Sequence, residues 1–115
     1  MEFELRYSAN FYDEINQAMN YAMNDLDNPN FASKLWETAK EKAEKVRVNP
    51  YFRPIYFQDA AIAEKGYRWI AVCNFILFYR IKEGTNIIKV HSFIHMRRNI
   101  SEVFNHEDED NEQLE

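Results

Sequence analysis

The residues best suited to chemistry in this sequence are a histidine and several arginines, which lie in or just after segments rich in β-branched and aromatic residues. Arg97 and Arg98 are adjacent, and His95 precedes them closely. Two neighbouring guanidinium groups suit the recognition of a phosphate or a carboxylate, and a histidine can exchange a proton near neutral pH. Arg68 and Arg80 are two further cations on predicted strands. The sequence therefore predicts an anion-binding site, with His95 as a candidate for proton transfer.

A purely structural use of the same residues stays open. His91, Phe93 and His95 alternate along a predicted strand and would share one of its faces. A histidine in such a row is more often a structural or surface residue than a catalyst. Arg68 and Arg80 could likewise lie along a sheet and form ion pairs with the glutamates at positions 2, 4 and 83.

Several other kinds of site lack the residues that they require. Cys73 is the only cysteine, so the chain can form neither an internal disulfide nor a cysteine-based zinc site. The sequence has no glycine-rich phosphate loop. Its acidic stretch 107–112 lacks the oxygen spacing and the glycine of an EF-hand. We therefore expect no metal, no cofactor and no small-molecule cofactor as a partner.

The composition indicates one folded domain with an acidic end. Hydrophobic residues make up 46% of the 115 residues, and there are only two glycines and three prolines, which excludes collagen-like and low-complexity chains. Segment 105–115 contains six of the 19 acidic residues and no lysine or arginine, which leaves 13 acidic and 14 basic residues elsewhere. We expect residues 1–104 to form one domain and 105–115 a disordered tail. The protein is expected to be cytoplasmic, without a membrane partner.

The first half of the chain predicts a strand followed by two helices. Residues 3–8 alternate between apolar and polar side chains, as a half-buried strand does. Asn10 is a candidate cap for a first helix with one apolar stripe, and Asn28-Pro29 is a strong start for a second. Asn49-Pro50 ends the second helix. Because the connection between the helices is short, we expect an antiparallel helical hairpin.

The second half predicts three strands, at 67–72, 75–81 and 87–96, because these segments are rich in β-branched and aromatic residues. Cys73-Asn74 suits a two-residue hairpin turn. Short links between consecutive strands indicate an antiparallel meander, with one or two helical turns within 97–104. The predicted fold class is therefore α+β in the order β-αα-βββ, with the helical hairpin packed on one face of an antiparallel sheet.

The order of these elements, with the residues on them, resembles the RelE/ParE toxin superfamily of bacterial type II toxin–antitoxin modules. The similarity covers about residues 3–104. It rests on five short segments: Asn28-Pro29, Asn49-Pro50, Gly66-Tyr67-Arg68, the run NFILFYRI at 74–81, and the run HMRRN at 95–99. The resemblance implies a small toxin that binds a cognate antitoxin protein and acts either on translation or on DNA gyrase.

The resemblance implies different site residues in different branches of the superfamily. RelE-type endoribonucleases, which cut mRNA on the ribosome, have two lysines on the second strand, an arginine on each of the third and fourth strands, and a tyrosine near the C-terminus. In this sequence Arg68 stands at the first lysine position, and Arg97 or Arg98 at the fourth-strand arginine position. The other three positions hold apolar residues: Ile70, Ile76 and Phe104.

A second endoribonuclease arrangement in the superfamily uses a glutamate base with an arginine and a histidine near the last strand. His95 and Arg98 could take the last two roles, with Glu64 as the base. If the protein is an RNase, its candidate catalytic residues are therefore Arg68, His95 and Arg98.

The ParE branch, which inhibits gyrase, fits better. It has an arginine on the second strand, Tyr-Arg at the end of the third and an arginine pair after the fourth. We therefore expect a plasmid-stabilising, growth-inhibiting toxin that binds its target through four arginines: Arg68, Arg80, Arg97 and Arg98. Two alternatives stay open: a ribosome-dependent mRNA endoribonuclease of RelE type, and a non-toxic relative that only binds its partner. Whether the protein is an enzyme is likewise open.

Overall fold

The computed structural model describes the backbone of residues 2–114 and the side chains of residues 2–107. Its elements follow the predicted order, with one short helix added between α2 and β2. They are β1 Glu4–Tyr7, α1 Ala9–Asn24, α2 Pro29–Val48, α3 Ala60–Glu64, β2 Arg68–Val72, β3 Phe75–Ile81, β4 Ile87–His95 and α4 Ile100–Leu114.

The four strands form one sheet in the order β1-β4-β3-β2. Strands β2, β3 and β4 are the predicted antiparallel meander, whereas β1 runs parallel to β4. The α+β fold class and the β-αα-βββ arrangement are therefore confirmed. The position of β1 beside β4 was not predicted, because alternation within a strand does not identify its neighbour.

The two long helices begin at capping residues. Asn28 Oδ1 accepts a hydrogen bond from Phe31 N at 3.1 Å, and Pro29 is the first residue of α2, as predicted. The cap of α1 is Ser8 and not Asn10, because Ser8 Oγ accepts from Phe11 N at 2.9 Å. The side chain of Asn10 has partners outside the helix, which are described below.

Both faces of the sheet are covered. The helical hairpin packs on one face and buries the first core cluster, which includes Phe11, Ile15, Leu35, Leu77, Tyr79, Ile88, Val90 and Phe93. Helices α3 and α4 cover the opposite face over a second cluster: Tyr56, Ile62, Tyr67, Ile76, Phe78, Ile94 and Phe104. Only the first of these layers was expected from the sequence.

Asp59 connects the two helices of the second layer. Its Oδ1 caps α3 by accepting a hydrogen bond from Ile62 N at 3.0 Å. A hydrogen bond from Ser101 at the start of α4, together with the bond from Ile62 N, lowers the pKa of this carboxyl.

Helix α4 is longer than the sequence predicted. We expected one or two turns within 97–104, but α4 continues to Leu114. The segment 100–114 contains no glycine or proline, and glutamate, glutamine and leucine are good helix formers. No helix among residues 2–114 has both the length and the apolar content to cross a membrane.

Candidate functional site

A β-bulge in β4 determines on which face of the sheet the last side chains of this strand lie. Phe78 of β3 lies opposite Ser92, whereas Tyr79 lies opposite Val90, so His91 is an extra residue on β4. An extra residue reverses the alternation of the residues that follow it. As a result Phe93 packs into the first core cluster, under the hairpin, as Val90 does.

The bulge separates the two histidines of the strand. The ring of His91 lies on the face covered by α4, with ring centroids 5.0 Å from Tyr67 and 4.6 Å from Phe104. The ring of His95 lies with Phe75 on the hairpin face, at 4.9 Å. The prediction that His91, Phe93 and His95 share a face is therefore wrong, because simple alternation does not include the bulge.

The start of α1 provides hydrogen-bond partners for β4 where β1 ends. Beyond Tyr7 no strand lies on this side of β4, so its next backbone groups need other partners. His91 O accepts from Ser8 Oγ at 2.7 Å and from Asn10 Nδ2 at 3.2 Å. Phe93 N donates to Glu14 Oε1 at 3.0 Å. Glu14 is thereby fixed beside the last residues of β4.

Glu14 also lies close to a second carboxyl group, that of Glu107 on α4. Asn10 Nδ2 contacts both, at 2.9 Å from Glu14 Oε1 and 3.2 Å from Glu107 Oε2. Burial of Glu14, the hydrogen bond to Glu107 and the negative charge of Glu107 raise the pKa of Glu14 to about 9, against the opposing effects of the Phe93 amide and Arg98. The buried Oε2 of Glu14 has no hydrogen-bond partner among the described residues.

Glu14, His95 and Arg98 line one cleft of about 180 Å³ between α1 and the end of the sheet. Its other walls are formed by Gln17, Ala18, Tyr21, Phe75 and Phe93. His95 Nδ1 accepts a hydrogen bond from Arg97 N at 3.0 Å, so the proton of the neutral imidazole is on Nε2. The cleft thus combines a protonated carboxyl, an oriented imidazole and a guanidinium.

Arg97 and Arg98 are exposed in the turn between β4 and α4. The ion pairs within residues 2–107 involve neither guanidinium. Arg98 also borders a second cleft of about 240 Å³, which is formed by the start of α4 and includes Glu102 and Glu107. Both arginines are therefore available to an anionic ligand, and Arg98 lies between two surface clefts.

Arg68 is engaged elsewhere, at the opposite end of the sheet. Its Nη1 donates to the backbone carbonyls of Arg53 and Tyr51, and its guanidinium lies 5.5 Å from the ring centre of Tyr51. Nearby, the hydroxyl of Tyr79 donates to Pro50 O at 2.7 Å, and burial raises its pKa to about 12. These contacts fasten the segment after α2 to the sheet.

Arg80 lies on the other face of the sheet, with its guanidinium 5.3 Å from the ring centre of Tyr67. The ion pairs within residues 2–107 include neither Arg68 nor Arg80, and Glu4 is paired instead with Arg6, at 3.4 Å.

The strand register shows how far apart the candidate residues are. Phe75 of β3 lies opposite His95, whereas Arg80 is five residues farther along β3, which is about 17 Å at the usual rise of a strand. Arg68 lies opposite Tyr79, at the same end as Arg80. The structure therefore brings His95, Arg97 and Arg98 together and places Arg68 and Arg80 away from them.

Glu14 is the residue of this cleft that sequence reasoning missed. Glu64, the base suggested by the sequence, is exposed at the end of α3 and does not line the cleft. A signal for Glu14 was present: it lies three residues after Phe11 and four before Ala18, on the apolar side of α1. Among the described side chains, no group of three or more His, Cys, Asp or Glu residues is placed to hold a metal ion.

Comparison with known proteins gives a match in structure but not in sequence. No protein-family model matches the chain, and no curated protein matches it significantly. A chain in the solved structure "Chromosomal ParDE TA system from P. aeruginosa" superposes with a TM-score of 0.66, over 84% of this chain and 98% of that chain. The chain therefore has a ParE-like fold. Because the sequence identity is only 13%, the similarity establishes the fold alone.

Proposed function

We propose that this protein is the toxin component of a bacterial type II toxin–antitoxin module, acting in the cytoplasm and neutralised by a cognate antitoxin protein. The support is the ParE-like fold, which extends over 84% of the chain and matches a chain from a system described as ParDE. Because a fold by itself does not fix a function, the proposal also rests on the exposed arginine pair beside the cleft.

We infer that the target is DNA gyrase, as for ParE. The observation that carries this choice is that the positions that would need polar groups in a RelE-type RNase hold apolar side chains that pack in or against the two core clusters. Phe104 is fully buried in the second core cluster, and Ile76 is 7% exposed in the same cluster. Ile70 packs against the first cluster. These three positions are used for packing, so the general acid and cations of RelE-type mRNA cleavage have no place there.

Arg97 and Arg98 are the residues that we assign to target binding. They extend from a turn that is held by two hydrogen bonds: Arg97 N donates to the side-chain Nδ1 of His95, and Arg98 N donates to His95 O at 3.1 Å. A rigid turn lowers the entropy cost of presenting two guanidinium groups to carboxylates of a protein target.

A second candidate function is supported by the cleft itself. Endoribonuclease chemistry requires a base, a cation for the phosphorane and a proton donor for the leaving oxygen. His95, Arg98 and the protonated Glu14 line one cleft and could supply these three roles. This arrangement would differ from the RelE type, because it uses a carboxyl group of α1.

Inducible expression with and without the protein encoded by the adjacent gene tests the proposal. Growth arrest that the adjacent gene product relieves is expected for a toxin. Purified protein should then inhibit gyrase supercoiling and leave ribosome-bound mRNA intact. Cleavage of that mRNA would replace the gyrase assignment by the endoribonuclease, and binding without growth arrest would identify a non-toxic relative.

A further inference from the structure

The cleft beside His95 and Arg98 has one wall from a helix and one from the sheet. Its residues on α1 are spaced at i, i+3, i+4 and i+7: Glu14, Gln17, Ala18 and Tyr21. Residues at this spacing lie on one side of a helix. On the sheet side, the rings of Phe75 and Phe93 stack with their centroids 4.6 Å apart, and both line the cleft. Much of the cleft wall is therefore apolar.

The surface around the cleft has the residue types of a protein interface. Tyr21 is 56% exposed, whereas Phe75 is half-buried and Phe93 is buried. Met96, which lies between His95 and Arg97 in the chain, is 43% exposed. Tyrosine, phenylalanine, methionine and arginine are the types that protein interfaces contain in excess over the rest of the surface.

The charges around Arg98 indicate what kind of anion can approach. Helix α4 begins at Ile100, and its sequence has acidic residues at positions 102, 107, 108, 109, 110 and 112 and no lysine or arginine. Two of these residues, Glu102 and Glu107, border the second cleft together with Arg98. Such a helix repels a nucleic acid, which has a phosphate at every nucleotide, more strongly than it repels one carboxylate. The local charge therefore favours a protein partner.

The size and polarity of the cleft fit one apolar side chain. A dry cavity of about 150 Å³ can hold a benzene ring. The cleft of about 180 Å³ therefore has room for one aromatic or branched aliphatic side chain. The pKa of Glu14 is about 9, so the carboxyl group in the cleft is uncharged near neutral pH. An apolar group can enter without removing water from a negative charge.

We propose that the cleft receives an apolar side chain of the target protein, between Tyr21 and Phe75, while a neighbouring carboxylate of the target pairs with Arg98. Tyr21 is then the contact for the apolar side chain, and Arg98 is the contact for the charge. This inference rests on the proposed function, because it takes the partner to be the target of the toxin. It adds the element that is recognised, which is an apolar residue next to an acidic one on a protein surface.

A second copy of this chain fits the cleft less well than a separate target. In a two-fold dimer the same surface patch lies on both subunits. The arginine pair at 97 and 98 would then lie close to the same pair of the other copy, and like charges repel. A target that supplies carboxylates has the complementary charge.

The test compares Tyr21→Ala with Met23→Ala in binding to purified DNA gyrase, measured by calorimetry with the full chain. Met23 is the matched control, because it lies on the same helix, is 49% exposed and does not line the cleft. We expect Tyr21→Ala to bind at least about tenfold more weakly than the wild type, and Met23→Ala to stay within about twofold of it. Tyr21→Phe, which keeps the ring, should recover most of the affinity. Circular dichroism checks that all variants fold.

Binding to the protein encoded by the adjacent gene separates the target from the antitoxin. Tyr21→Ala should keep its affinity for that protein, and loss of this affinity would overturn the inference by assigning the cleft to the antitoxin. Equal affinity of Tyr21→Ala and the wild type for gyrase would overturn it while leaving the gyrase proposal in place. Two further results would overturn it: a wild-type dimer that Tyr21→Ala converts to a monomer, and binding of a DNA or RNA oligonucleotide that is lost when both Arg97 and Arg98 are changed to alanine.

Growth arrest is the readout if gyrase does not bind the wild-type protein, a result by which the gyrase assignment fails. Arrest that is lost in Tyr21→Ala and retained in Met23→Ala would then support the cleft as the contact with another protein target. Arrest that both variants retain would overturn the inference. If the wild-type protein neither binds gyrase nor arrests growth, both proposals fail.

Discussion

The two ends of the sheet both carry arginines beside the helical hairpin, but they use them in opposite ways. At one end Arg68 donates to the carbonyls of Tyr51 and Arg53 and stacks on the ring of Tyr51. At the other end Arg97 and Arg98 are exposed, beside a cleft that contains a protonated carboxyl. At the first end the arginine is hydrogen-bonded within the protein, whereas at the second end the two arginines are exposed to solvent.

The difference shows that the surrounding backbone decides what an arginine does. A guanidinium has five donors, and the irregular segment 49–57 offers carbonyls that are not used by a helix or a sheet. Arg68 lies next to those carbonyls and satisfies them. The turn after β4 is short, and its backbone is already hydrogen-bonded through His95, so its arginines have no comparable internal role.

The largest expected effect is the loss of growth arrest in the double variant Arg97→Ala, Arg98→Ala. Both side chains are exposed, so the free energy of unfolding should change by about 0.5 kcal/mol or less while target binding is lost. Growth on inducing medium and chemical denaturation measure the two quantities. Arg6→Ala, which removes an exposed arginine elsewhere, is the matched control and should remain toxic. If the double variant were fully toxic, the assignment of Arg97 and Arg98 to target binding would be contradicted.

Arg68→Ala is expected to act on stability. Loss of the hydrogen bonds to two carbonyls should lower the free energy of unfolding by about 2 kcal/mol, and urea denaturation measures this. Arg68→Lys keeps the charge but cannot reproduce the forked geometry, so it should recover only part of the loss. An Arg68→Ala variant that keeps its stability but loses toxicity would show instead that this end also contacts the target.

Glu14→Gln is expected to change the pH dependence of stability. The pKa of Glu14 is near 4.5 in the unfolded chain and about 9 in the folded protein. Between these values unfolding releases its proton, so its contribution is fully present below about pH 4.5 and is lost as pH rises to about 9. A glutamine side chain cannot ionise, so the stability of the variant should fall less than that of the wild type as the pH rises over this range.

Thermal unfolding at several pH values between about 5 and about 10 measures this difference. Glu107→Gln is the companion variant, because it removes the neighbouring negative charge and should lower the pKa of Glu14 towards its usual range. Identical pH profiles for the wild type and Glu14→Gln would show that Glu14 is not held in its protonated form.

Arg80→Ala is expected to have the smallest effect. The loss of its contact with the buried ring of Tyr67 should cost about 1 kcal/mol, because Arg80 itself is only half-buried. Growth arrest should be retained, as judged by the same plate assay. Loss of arrest with unchanged stability would extend the target-binding surface to the far end of the sheet.

Much of the fold could be predicted because its signals are local. The cap Asn28, Pro29 after it, and the β-rich runs before and after Cys73 each act within a few residues, and the structure has these elements where they were expected. Ser8 was missed as the cap of α1, since Asn10 is an equally good capping residue by type. The second layer was missed because α3 has only five residues.

The sequence by itself determined the two long helices α1 and α2, the four strands, the α+β class and the grouping of His95, Arg97 and Arg98, which are neighbours along the chain. Only the tertiary structure decided which arginines are free, which face His95 occupies and that Glu14 lies beside it. The bond from Phe93 N to Glu14 spans 79 residues, and that from Arg68 to Arg53 O joins a strand to an irregular segment. The periodicity of a sequence indicates which face of a helix or strand is buried. It does not indicate which distant group that face contacts, because the contact depends on the strand order, on the bulge in β4 and on the packing of α1 against β4.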